Sequence, residues 1–309
     1  MMVNGKWTGR YQPVQGVDEQ GGFVRERSQF RHWVGEDEAF PLASGRYHLY
    51  VAMICPWACR TLMVRGLLGL EDVISVSRVK PALSEQGWAF GDTPPFIDPY
   101  LGARHLHQLY SHSDAAYTGR ATVPVLWDKE RRCIVNNESA DIVRVLNGVF
   151  RPLGTEKFDL YPEFLRGEID CLNERYYHTL NNGVYRAGFA TTQVAYEEAY
   201  RDVFEALDEL EARLSTQPYV LGEQVTETDV RLFVTLVRFD LAYYSLFKCN
   251  LRRIADYPAL SAYLRRLYAL PGVADTVEPE AIKAGYYSIE SLNPTGIVPL
   301  GPETLPFLG

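Results

Sequence analysis

The stretch Arg46-Tyr47-His48-Leu49-Tyr50-Val51-Ala52-Met53-Ile54-Cys55-Pro56-Trp57-Ala58-Cys59-Arg60 decides the fold of this 309-residue chain. Residues 46–54 form a near-continuous apolar and aromatic run, the pattern of a buried strand. Cys55-Pro56 ends it. Pro56 suits the first position of a helix, where its missing N–H costs nothing. From Trp57 to Gly69 the spacing turns helical: Trp57, Thr61, Val64 and Leu68 share one stripe, and Cys59, Leu62, Met63 and Gly66 another. A helix apolar on two sides lies buried between layers, and Gly69 can close it.

Cys55 therefore falls at the junction of a strand and a helix. Unpaired backbone N–H groups point there and the helix dipole adds partial positive charge, so thiolate is favoured over thiol. A thiolate is the nucleophile of thiol–disulfide exchange. Arg60, one turn in, adds positive charge in a direction the sequence does not fix. Cys59 lies four residues on, one longer than the C-x-x-C spacing of dithiol redox proteins. An i, i+4 pair on a regular helix is poorly placed for a disulfide, so Cys59 reads as a packing residue rather than a resolving thiol.

Residues 73–79 read as a second strand. Residues 81–119, with Trp88, Pro94, Pro95 and Pro99, read as a long irregular insertion, which is usually functional. Thr122 to Asp128 reads as a strand, Cys133 to Val135 as its hairpin partner, and Glu138-Ser139 as the start of a helix carrying Ile142, Val145 and Leu146. Strand, helix, strand, strand, strand, helix is a small α/β layer fold. After a linker over Phe150 to Phe158 the pattern is helical throughout. Leu165, Ile169, Leu172, Tyr176 and Leu180 form one stripe; Tyr196, Tyr200, Val203, Leu207, Leu210 and Leu214 form a second. Thr226-Glu227-Thr228-Asp229 resembles a capping box ahead of Val230, Phe233, Val234 and Val237, and Pro258 opens a further helix through Leu264 and Leu267. The expected domains are an irregular extension over 1–43, an α/β domain over 44–150 with its insertion, and an all-α domain over 159–309.

Composition narrows the function. The net charge of −8 argues against a broad nucleic-acid surface. There is no apolar run long enough to span a membrane and no apolar signal core near the start, which predicts a cytoplasmic protein. Five scattered cysteines (Cys55, Cys59, Cys133, Cys171 and Cys249) do not make a secreted disulfide framework. His105, His107 and His112 lack cysteine or carboxylate partners at ligand spacing and read as solvated loop histidines, with no metal expected. The 20 tyrosines stand out, because tyrosine lines pockets with an aromatic face and a hydroxyl together.

Strand–Cys-Pro–helix, Val-Pro opening a strand, Glu-Ser opening a helix and a helical second half together resemble the glutathione transferase superfamily. Cys55-Pro56-Trp57-Ala58-Cys59-Arg60 is similar to the Cys-Pro-Trp-Ala-x-Arg motif of its Xi class, the glutathionyl-hydroquinone reductases, which are omega-like transferases. Tyr117-Thr118-Gly119-Arg120, Thr122 to Asp128, Ile134-Val135-Asn136-Asn137-Glu138-Ser139, Asn181 to Ala190, Thr226 to Asp240 and Asn293 to Pro299 match as well, so the resemblance covers about residues 30–302. The chain departs at Cys59, where family members often carry histidine.

The resemblance implies a thioredoxin-like domain followed by an all-α domain, in a homodimer, acting with glutathione as co-substrate on a glutathionylated aromatic small molecule. The implied reaction is reductive deglutathionylation: Cys55 attacks the sulfur of a glutathionyl-hydroquinone, the hydroquinone leaves, and a second glutathione resolves the mixed disulfide. It implies that Val123 and Pro124, with a cis bond between them, hold glutathione by its backbone. Glu138 and Ser139 would bind its glutamyl end, and Trp88 and Arg120 would close over it. Tyr185, as a catalytic phenol, Tyr243 and Tyr286 would form the aromatic pocket, although Tyr244 and Tyr287 lie beside the last two and either member of each pair fits. A broader omega-like thiol transferase or dehydroascorbate reductase would share Cys55 without that pocket. A non-catalytic module of the same fold would use neither.

Overall fold

The computed structural model describes residues 1–9, 16–155 and 158–308. The chain divides into two compact units, Met1–Pro13 with Arg27–Lys157 and Val14–Glu26 with Phe158–Gly309. Two of the linker positions expected over Phe150 to Phe158, residues 156 and 157, lie outside the described residues.

The extension expected to be irregular carries β1 (Met2–Val3) paired with β2 (Lys6–Trp7), and β3 (Gly16–Val17) paired with β4 (Phe23–Val24). Two-residue strands have no side-chain period to read, which is why the sequence hid them. In the first unit Met2 exchanges backbone hydrogen bonds with Gly119 at 2.8 and 3.0 Å. Farther along, His32 N–H donates to Val135 O and Asn137 N–H to Phe30 O, each at 3.1 Å. The segment thus covers an edge that would otherwise offer open backbone groups.

The core sheet of the first unit contains β5 (Tyr47–Val51), β6 (Ser75–Arg78), β7 (Val125–Asp128) and β8 (Cys133–Asn136) in the order β6-β5-β7-β8. β5 and β6 are parallel; β7 is antiparallel to both β5 and β8. The parallel pair needs a crossover, supplied by α1 (Pro56–Leu67), which buries ten of its twelve residues. The helix ends as a Schellman turn: Gly69, at φ +60°, donates to Gly66 O at 2.9 Å and Leu70 to Arg65 O at 3.0 Å. α3 (Ser139–Val145) packs against α1 and runs on through a π-helical turn, Leu146–Phe150. Phe150, expected to begin the linker, is instead fully buried against Tyr47, with ring centroids 5.5 Å apart.

The insertion over 81–119 is not wholly irregular. It contains α2 (His107–Ser113), which packs on β8. Only two turns long, α2 shows Leu106, Leu109 and Tyr110 as its buried side, too short a stripe to stand out. His107 is therefore not a solvated loop residue. Its ring stacks between Trp7 and His105, at 4.9 and 5.5 Å, and burial pushes its pKa down to about 4.

The second unit contains α4 (Arg166–Tyr176), α5 (Gly183–Gly188), α6 (Gln193–Leu214), α7 (Glu227–Arg238), α8 (Pro258–Tyr268) and α9 (Pro279–Tyr287). α7 buries eleven of its twelve residues and is the central helix. Two π-helical turns interrupt the regular pitch, Tyr177–Asn181 before α5 and Phe239–Tyr243 after α7. The unit also takes in Val14–Glu26, beyond the expected 159–309. There Thr191 N–H donates to Gly21 O at 3.0 Å, and Phe23 is buried on Phe189 at 5.5 Å. No helix among the described residues is long and apolar enough to cross a membrane.

Candidate active site

Cys55 is the N-cap residue of α1, in extended conformation (φ −80°, ψ 116°), with Pro56 at the first helical position. Its N–H donates to Ala52 O at 3.0 Å, and its carbonyl accepts the first helical bond, from Cys59 N–H at 2.9 Å. The thiol is partly exposed, and its sulfur lies 3.7 Å from Val123 O. Val123-Pro124 is cis, the isomer the family resemblance implies. Cys55 thus stands at the positive end of α1, where a thiolate is favoured, beside the backbone that leads into β7.

A second cluster forms where β8 turns into α3. Glu138 caps α3 by accepting Ala140 N–H at 3.1 Å, and Ser139 is the first helical residue. Their common partner is Arg60, a residue whose direction the sequence left open. Buried on α1, with its guanidinium 5.0 Å from the Trp57 ring centroid, it donates through Nη2 to Ser139 Oγ at 2.6 Å and approaches Glu138 Oε1 at 3.7 Å. Ser28 adds a hydroxyl donor to Glu138 Oε2 at 3.1 Å. Burial pushes the Glu138 carboxyl up, but Arg60, the Ala140 N–H, Ser28 and Arg31 outweigh it and hold the pKa below its ordinary value. The arrangement is an ionised carboxylate beside a hydroxyl that accepts from a guanidinium and so keeps its own proton for donation. It suits a ligand end carrying both an amine and a carboxylate.

Trp88 and Arg120 are held separately by the insertion. The Trp88 carbonyl accepts from Leu106 N–H at 2.9 Å, and the Arg120 carbonyl from Tyr117 Oη–H at 2.8 Å. Trp88 is 8% exposed and Arg120 half-buried.

The second unit gathers Tyr185, Tyr243 and Tyr286. Tyr286 Oη lies 2.6 Å from Tyr185 Oη and 2.7 Å from Tyr243 Oη, a chain of three hydroxyls with Tyr286 in the middle. Tyr244 and Tyr287 are outside it; the Tyr287 hydroxyl meets Ser245 Oγ at 2.5 Å. Burial raises the pKa of Tyr243 and of Tyr286 well above 10, so both stay protonated. Phe247 packs on all three rings at 5.1–5.6 Å. It can do so because Gly188 has no Cβ, which would stand 2.4 Å from Phe247 Cγ. Arg25 covers Tyr185 at 4.9 Å from the ring centroid and donates to Asn182 Oδ1 at 3.0 Å. Sequence reasoning missed Arg25 and Phe23; the one signal was an apolar and basic run, Phe23-Val24-Arg25, inside a polar extension.

Among the described residues no group of three or more His, Cys, Asp or Glu side chains is arranged to hold a metal ion. Comparison with known proteins fixes the family. The glutathione S-transferase N-terminal domain model matches residues 54–148 and the C-terminal domain model residues 193–266. A glutathionyl-hydroquinone reductase of Sphingobium chlorophenolicum is 49% identical over 313 positions, covering 100% of this chain and 98% of that one. This chain belongs to the Xi class of the glutathione transferase family. Among solved structures, the Xi glutathione S-transferase of Phanerochaete chrysosporium matches at a TM-score of 0.90 and 49% identity, covering 93% of this chain and 95% of that one. A glutathione-bound transferase homologue of Escherichia coli K-12 matches at a TM-score of 0.87 and 48% identity, covering 90% and 94%. As a glutathione transferase, the chain has the thioredoxin-like and all-α parts that the family resemblance implies, in line with the α/β and helical patterns of its sequence.

Proposed function

We propose that this protein is a glutathionyl-hydroquinone reductase. The observation that carries the proposal is Cys55, a partly exposed thiol at the N-cap of α1 with its sulfur 3.7 Å from Val123 O. Glutathione pairs its backbone with Val123, ahead of Pro124, and sets its glutamyl amine and carboxylate against Glu138 and Ser139, under Trp88 and Arg120. The Cys55 thiolate attacks the glutathione sulfur of the conjugate. The ring carbon–sulfur bond breaks, its electron pair goes to the ring carbon, and that carbon takes a proton. The two sulfurs are oxidised to a mixed disulfide while the ring is reduced to the hydroquinone. A second glutathione thiolate then attacks, giving oxidised glutathione and the Cys55 thiolate.

Tyr185, Tyr243 and Tyr286 take the aromatic part of the substrate. When Tyr185 donates its proton to a substrate oxygen it accepts from Tyr286, which accepts from Tyr243, so each hydroxyl polarises the next. The same reading makes the protein a cytoplasmic homodimer that uses glutathione and no metal.

Mass spectrometry after incubation with a glutathionyl-hydroquinone is expected to find glutathione on Cys55. Cys55→Ser should lose at least about a thousandfold in kcat/KM. Turnover by Cys55→Ala at the wild-type rate overturns the assignment, and a clear preference for dehydroascorbate overturns the substrate class.

A further inference from the structure

Cys59 has no part in the monothiol cycle above, and its spacing from Cys55 reads as wrong for a disulfide on a regular helix. The structure changes the premise, because Cys55 is not a regular helical residue. It is the N-cap, with extended backbone angles, and Cys59 is the first residue whose N–H bonds back to it, at 2.9 Å. Side chains on a helix lean toward its N-terminus, and residues four apart stand on one face about 5–6 Å apart at Cβ. A disulfide needs Cβ atoms about 4 Å apart, against about 5–6 Å between i and i+4 on a regular helix, and the extended backbone of the N-cap frees Cys55 from that regular spacing.

The Cys59 thiol is already turned that way. Its sulfur lies 3.3 Å from Met53 O and 3.7 Å from Ala52 O, in the turn that presents Cys55. Cys55 N–H donates to that same Ala52 carbonyl at 3.0 Å. Cys55 Sγ, meanwhile, reaches toward Val123 O at 3.7 Å. Cys55 thus reaches toward the cis-proline segment, while the Cys59 thiol contacts the carbonyls of the turn that precedes Cys55. Exchange at sulfur is in-line, so a thiol entering from the helix side expels a glutathione lying on the Val123 side.

We infer that Cys59 is an internal resolving thiol for the Cys55–glutathione mixed disulfide, an inference that rests on the mixed-disulfide step of the proposed cycle. Cys59 sulfur attacks Cys55 sulfur and the Cys55–glutathione bond breaks. Glutathione leaves as thiolate and takes the Cys59 proton, and a Cys55–Cys59 disulfide remains. Two glutathiones reduce it in succession, through the same mixed disulfide, to the dithiol and one oxidised glutathione. The net reaction is unchanged. What changes is the state that accumulates when free glutathione is scarce: an internal disulfide in place of an exposed adduct. Cys59 is 1% exposed, which shields its thiol from external oxidants.

The test loads Cys55 in the full-length protein and removes excess reagent. Oxidised glutathione and a glutathionyl-hydroquinone serve as parallel donors, with wild type, Cys59→Ser and Cys59→Ala compared by intact mass and by alkylation after denaturation. Wild type is expected to release one equivalent of glutathione and end two hydrogens lighter than the dithiol. The variants should keep the adduct, shedding it at least about tenfold more slowly, and circular dichroism should show them folded. A stable wild-type adduct with Cys59 alkylatable overturns the inference and leaves the reductase reading intact. Loading of Cys55 by oxidised glutathione but not by the conjugate overturns the reductase reading, while loss of that adduct through Cys59 upholds the exchange.

Discussion

Burial alone would leave Glu138 reluctant to ionise; the Arg60 guanidinium at 3.7 Å and the donors from Ala140 and Ser28 reverse that. Because the folded pKa is depressed, these contacts stabilise the protein above the carboxyl's ordinary pKa of 4.5 and are lost as pH falls through the lowered value. Glutathione affinity, measured by calorimetry, should therefore hold constant from pH 7 down to about pH 5. A loss with a midpoint near pH 6 would remove the ionised carboxylate from the argument. Glu138→Gln should raise KM for glutathione about tenfold, which is about 1.4 kcal/mol, with kcat within about twofold; an unchanged KM would take Glu138 out of the binding site. At this scale the sequence is readable where chemistry is local. Cys55 and Pro56 are neighbours at a helix start, and their places as N-cap and first helical residue follow from the local sequence. The partner of Arg60 lies 79 residues away at Ser139, and no local rule points a guanidinium across that distance.

Helices were legible in proportion to length and periodicity. Val203, Leu207, Leu210 and Leu214 of α6 are buried as their spacing predicts. The box predicted before α7 has its acidic half in place: Asp229 accepts from Thr226 N–H at 2.8 Å and Thr226 Oγ1–H at 2.9 Å. The sequence did not show that the same carboxylate also accepts Val220 N–H at 3.0 Å and Tyr263 Oη–H at 2.8 Å, tying the loop before α7 and helix α8 to one buried group. Burial raises the Asp229 pKa against the pull of those four donors. Asp229→Ala leaves all four without this acceptor and should cost about 3 kcal/mol or more in denaturant unfolding of the second unit. A loss under about 1 kcal/mol would mean that water replaces the carboxylate. The π-helical turns were illegible, since one extra residue per turn leaves composition untouched. One of them ends on Tyr243, a member of the aromatic cluster.

Across the whole molecule the residues of the proposed site divide between two units of the chain. Cys55, Val123, Glu138 and Ser139 belong to the first; the tyrosine triad belongs to the second, together with Phe23 and Arg25 from the extension. Little in the sequence warns that the extension is divided between the units, because two-residue strands carry no period and Phe23-Val24 is only a short apolar pair in a polar run. The division makes the two roles separable by experiment. Oxidised glutathione has no aromatic ring, so loading Cys55 from it calls only on the first unit. Release of a hydroquinone from its conjugate, in which the ring carbon takes the proton, also draws on a phenol hydrogen-bonded to the ring oxygen to polarise the ring, and weakening that donor is expected to cost about ten- to a hundredfold. Tyr286→Phe breaks the hydroxyl chain at its centre while keeping the ring that packs on Phe247 at 5.6 Å. It should therefore lower kcat/KM on a glutathionyl-hydroquinone about ten- to a hundredfold and leave the rate of Cys55 glutathionylation by oxidised glutathione within about twofold of wild type. Equal losses in both rates would mean that the triad acts on Cys55 itself, and no loss in either would remove it from the reaction.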